Sequence, residues 1–125
     1  DTCGNVILDG ERFAAIRQAA ERNGPASAAG ISMDNHLAWF EAVRAWPILK
    51  TLDPLKQSSI LYDLVAVYLG FANDLLDMES LPIVITPDGK TLVDDSGEVV
   101  LCATNWRDKD AFLDLVTQRL IGEAL

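Results

Sequence analysis

The stretch from Pro54 to Asp77, PLKQSSILYDLVAVYLGFANDLLD, is the longest run of the chain whose apolar residues keep a helical period, and it limits what the rest can fold into. Leu61, Leu64, Val65, Tyr68, Leu69, Phe71, Ala72, Leu75 and Leu76 fill most of a helix circumference, with a thin polar stripe at Ser59, Asp63, Gly70, Asp74 and Asp77. As one helix it would span roughly 36 Å, the width of a small domain, and its neighbours would have to wrap it. The expectation is a central helical strut.

The flanking segments supply the wrapping. Asn5 to Leu8 reads as a brief strand, and Asp9 is a suitable N-cap for a helix over 10–23 with Phe13, Ile16, Ala19 and Ala20 on its buried side. Pro25 to Ile31 is small and aperiodic, which predicts a mobile loop. Ser32 or Asp34 then caps a second helix whose face is Leu37, Phe40 and Val43, ending near Ala45 because Pro47 disfavours helix before it. Ile48 to Leu52 reads as a short connector.

Past Asp77 the period changes. Residues 83–86, 91–93 and 98–103 read as strands joined by the turns Pro87-Asp88-Gly89-Lys90 and Asp94-Asp95-Ser96-Gly97, which predicts a three-stranded antiparallel meander with the Asn5–Leu8 strand as a candidate fourth member. Asp108 caps a last helix with Phe112, Leu115, Val116 and Leu120 on its apolar face and Gly122 at its end. The fold class is therefore α+β: a long central helix packed by shorter helices, with a small antiparallel sheet and a C-terminal helix. At 125 residues, half of them apolar, a single domain with one core is the expectation.

The segment Leu81 to Leu125, in which a leucine-proline pair enters short strands and a terminal helix, resembles the closing half of a thioredoxin fold. It lacks the CxxC of that family and has an additional strand over 98–103, so no redox role is carried over.

Charge narrows the class of partner. The formal net charge is -9, which disfavours nucleic acid and anionic lipid because both need a positive surface. The excess is concentrated: residues 51–106 carry nine acids against two bases, while the segments on either side are close to balanced. A basic protein partner suits such a surface, with Asp74, Asp77, Asp88, Asp94, Asp95 and Glu98 as its binding residues. Trp39 and Trp46, seven apart and close to one helical face, are the candidate aromatic anchors. No stretch reaches the ~20 apolar residues of a membrane span.

Catalytic and metal motifs are sparse. His36 is the lone histidine, Cys3 and Cys102 lie near opposite ends, and GxSxG, CxxC, HExxH and a phosphate-cradling glycine loop are missing, so no cofactor or metal is expected. The acidic turn 94–98 does not follow EF-hand spacing. Pairing Cys3 with Cys102 would constrain the unfolded chain by about 4 to 5 kcal/mol, and this disulfide suggests a periplasmic or secreted protein, while reduced thiols would suggest the cytoplasm; a chain opening at Asp1 is expected to be either a trimmed or a processed one. The expected function is a non-enzymatic protein-binding domain: an inhibitor, immunity-type protein or adaptor. The alternatives are a small hydrolase-like or redox enzyme using His36 or the helix carboxylates Asp63 and Asp74, and a homodimer formed through the tryptophan-bearing helix.

Overall fold

In the computed structural model, which describes residues 2–47 and 52–122, the elements run α1 (Gly10–Asn23), α2 (Ala28–Val43), α3 (Asp63–Leu69), β1 (Leu76–Ile85), β2 (Thr91–Val93), β3 (Glu98–Trp106) and α4 (Lys109–Ile121). The class is α+β, with helices and one antiparallel sheet. Helices α1, α2 and α4 pack against one another, and among the described residues the sheet meets this body only through one end.

Local chemistry explains the helix ends. The Gly24 N–H closes α1 onto the Ala20 carbonyl, and Phe13, Ile16 and Ala19 are buried as their spacing predicts. Helix α2 begins inside the expected loop: Ser27, not Ser32 or Asp34, is its N-cap, with Oγ accepting from the Gly30 N–H at 3.0 Å. Gly30 also lets α2 approach the end of α1, since a Cβ there would overlap the Gly24 carbonyl oxygen. Of the predicted α2 face only Phe40 is buried, while Leu37 stays exposed. Asp108 Oδ1 caps α4 by accepting from Ala111 N–H at 2.9 Å. At the other end Gly122 is left-handed and donates to the Gln118 carbonyl. The connector over Ile48–Leu52 falls, except for Leu52, outside the described residues.

The central strut does not form. Its period is confined to the seven-residue α3, and the rest of Pro54–Asp77 is turn, extended chain and the start of β1. Two causes are visible. Val6 and Leu8 are buried, so their backbone groups need partners. They find them in the 58–61 segment: Ser58 N–H donates to the Leu8 carbonyl at 2.8 Å, Leu61 N–H to Val6 at 2.9 Å, and the Ser58 hydroxyl accepts from Leu8 N–H at 2.9 Å. Residues so committed cannot also close helical turns. At the far end Leu76 is buried beneath Trp106 as the first residue of β1, and Arg107 donates to the Asp74 carbonyl. An apolar set that covers nearly a whole circumference fits a buried helix, an extended core segment and a strand equally well.

The same pairing corrects the N-terminal strand. Residues 5–8 join no sheet; the nearest thing to strand pairing there is a single bridge between Asp9 and Gln57. The sheet order is β2-β1-β3, so β3 returns along the free side of β1 instead of continuing a meander. The turn 94–97 makes the crossing over Pro82 and Ile83, with the Asp94 N–H donating to the Pro82 carbonyl at 3.0 Å. Only glycine fits at 97, where a Cβ would run into the Ile83 backbone. Strand β1 starts at Leu76, well before Ile83, and β3 continues past Ala103 to Trp106.

Cys3 and Cys102 are not joined by a disulfide. Cys3 packs on the core with Met78, Ala103 and Trp106. Cys102 is paired with Glu79, and adjacent strand residues face opposite ways, so its side chain lies on the face away from that core. The disulfide that suggested an oxidising compartment does not form.

Candidate functional site

The base of the sheet is anchored and its remainder projects. Leu76, Met78, Ala103 and Trp106 sit against the core, and the Trp106 and Phe112 rings are 4.8 Å apart between centroids. Trp106 Nε1 donates to the Thr2 carbonyl and Asn5 Oδ1, tying the N-terminal segment to the same spot. Paired residues share a face, so the register extends both faces beyond the helices. One carries Leu101, Val99, Val84 and Leu92; the other carries Leu81, Val100, Ile83 and Val93. Val99 is 71% exposed, Leu101 60%, Val93 64% and Val100 47%. Both faces of a strand are apolar and wet, which a folded chain does not need for its own stability.

The predicted acidic residues fall along this sheet, not along a helix. Asp74 lies in the turn before β1, where its carboxylate accepts from the Tyr68 hydroxyl at 2.6 Å; that bond, foremost, holds its pKa below the usual carboxylate range. Asp77 is at the base of β1, 3.3 Å from Arg107. Asp88 occupies the β1–β2 turn, 2.7 Å from Lys90, and its pKa is lowered by the hydrogen bond to that ammonium first and by Thr86 next. Asp94 accepts from the Ser96 N–H at 2.8 Å and from the Ser96 hydroxyl, which depress its pKa, and Asp95 and Glu98 flank it in the β2–β3 crossing. The sheet from Leu76 to Trp106 thus carries Asp77, Glu79, Asp88, Asp94, Asp95 and Glu98 against Lys90 alone.

Trp39 and Trp46 are brought together elsewhere. With Leu52, Tyr62 and Asp63 they border a groove of about 480 Å³, and Trp46 and Tyr62 are more than half exposed. The residues of the enzyme alternative do not converge. His36 Nε2 donates to the Pro54 carbonyl at 2.7 Å, its ring lies edge-on to Phe13 and Phe40, and it lines a small apolar cavity at Met33 and Leu61. Asp63 faces the tryptophan groove, and Asp74 is bound to Tyr68; with the strut broken they share no helical face. Among the described residues no group of three or more His, Cys, Asp or Glu side chains is placed to hold a metal ion, and no helix is long and apolar enough to cross a membrane.

Sequence reasoning located the charge of the sheet but missed its exposed apolar residues. A signal was present in Val99-Val100-Leu101, three consecutive aliphatic residues where a half-covered strand alternates. No family model, curated protein or solved structure matches the chain.

Proposed function

We propose that this chain is a non-enzymatic protein-binding domain, of the inhibitor, immunity or adaptor kind, whose partner-facing element is the projecting sheet. The observation that carries the reading is the coincidence of exposed aliphatic side chains on both faces of β1 and β3 with carboxylates at the base, the crossing and the tip. Apolar surface supplies affinity, and the negative rim steers and selects a basic partner. Affinity capture from the native source with the wild-type chain and with Val100→Glu tests it: proteins retained at low salt by the first should be lost from the second and released as salt rises. Equal capture by both baits, or capture indifferent to salt, contradicts it.

The exposure of Trp39 and Trp46 beside Tyr62 favours one second reading, a homodimer closed through the tryptophan groove. Its mark is a sedimentation coefficient that rises with concentration and that Trp46→Ala returns to the monomer value.

A further inference from the structure

The two edges of the sheet are unlike. Strand β2 offers three residues, Thr91–Val93, whereas β3 offers nine, Glu98–Trp106, and no further strand pairs with it among the described residues. Two hydrogen bonds fix which backbone groups face outward. Ala103 gives its carbonyl to the Thr2 hydroxyl at 3.5 Å, so its polar groups turn away from β1. Pro82, paired with Val99, gives its carbonyl to Asp94 on the opposite side of β1, so that pair exchanges no bonds either. Backbone direction alternates along a strand, and Val99 and Leu101 therefore also present their N–H and C=O groups to the open edge. The proline is tolerated in the central strand because the N–H it lacks would have pointed to the β2 side, where β2 has ended at Val93 opposite Ile83.

Folded proteins guard such an edge with lysine, proline, a charge aimed inward or a covering element. Between Val99 and Trp106 β3 has no charged residue, no proline and no glycine, and Glu98 alone marks its start. Among the described residues only the base is blocked, by the contacts of Thr2 and Asn5 with Ala103 and Trp106. The open stretch is Glu98 to Cys102, flanked by the Asp94-Asp95 turn and by Glu79, which is paired with Cys102 in the register.

We infer that the open edge of β3 accepts an extended segment of a partner protein as a fourth strand, and that this segment is basic with alternating aliphatic residues. Backbone bonds to Val99 and Leu101 would set its register, aliphatic side chains on one face would cover Val99 and Leu101, and cationic ones on the other would meet Glu98 and Glu79 beside Val100. A second copy of this chain fits the edge badly, because it would set one acidic sheet against another. The inference rests on the sheet being the binding element and adds the mode and chemistry of the occupant.

The test is a titration of the isotopically labelled chain with a synthetic peptide alternating valine and lysine, followed by amide chemical shifts, beside the same peptide with glutamate for lysine. The lysine peptide should shift the Val99 and Leu101 amides, weaken with salt, and lose about tenfold in affinity to Leu101→Pro, which removes an outward N–H without touching the β1 ladder. Val99→Lys, a gatekeeper that keeps every backbone bond, should weaken it as well. Equal binding of the glutamate peptide, no binding of the lysine peptide, shifts away from β3, or pairing of the chain with itself through β3 would overturn the inference. If strand addition fails while Val100→Glu still abolishes capture of the natural partner, only the mode is wrong. If capture survives that substitution, the binding reading falls as well.

Discussion

The helical body and the projecting sheet handle the same kind of residue in opposite ways. In the body Val6, Phe13, Ile16, Val65, Leu76 and Phe112 are all at most 4% exposed, whereas aliphatic residues of comparable size on β3 are 47 to 71% exposed. Burying an aliphatic or aromatic side chain contributes about 1.5 to 3 kcal/mol, so stability is concentrated in the body and the sheet forgoes it. The contrast makes unequal predictions for substitutions in the two regions.

The largest effect should come from Phe112→Ala, which empties the place where the Tyr68 and Trp106 rings meet. It should lower unfolding free energy by about 3 to 5 kcal/mol in urea melts. Next is Ser58→Ala, at about 1 to 3 kcal/mol, because the buried hydroxyl both accepts from Leu8 N–H and donates to the Ser59 carbonyl. Asp108→Ala should cost about 1 kcal/mol through loss of the α4 cap. Leu101→Lys and Val99→Lys should stay within about 0.5 kcal/mol of wild type while weakening partner binding. A core-sized loss on the sheet would erase the distinction between the two regions.

The boundary between them has a pH signature. Hydrogen bonding to Tyr68 lowers the Asp74 pKa in the folded state, so this carboxylate contributes stability above its unfolded pKa, and the contribution is lost as pH falls through the folded one. Tyr68→Phe should flatten that part of the acid limb of urea midpoint against pH. An unchanged acid limb would mean the bond contributes nothing to folding.

How much of this was legible in the sequence follows the same division. Helices α1 and α4 were readable because Asp108, Gly24 and Gly122 punctuate clear periods; Asp9 marks the start of α1 by position, and its side chain makes no capping bond. Strand β2 and both turns were readable from Pro87-Asp88-Gly89 and Asp94-Asp95-Ser96-Gly97. The Pro54–Asp77 run was not, because apolar residues on every side carry no period to separate helix from strand, and the deciding bonds come from Val6 and Leu8, some fifty residues earlier. The order β2-β1-β3 was hidden for a related reason: a short turn signals that two strands are antiparallel, not that the chain crosses over its neighbour. Of the candidate site, the carboxylates were legible by count, while their placement on a strand depended on the break after α3.

The most direct measurement pairs the urea midpoint of the Val100→Lys, Leu101→Lys double variant with its capture of proteins from the native source in low salt. A midpoint close to wild type and loss of the proteins that the wild-type chain retains are expected. The same proteins retained by a variant of undiminished stability would contradict a binding role for the sheet.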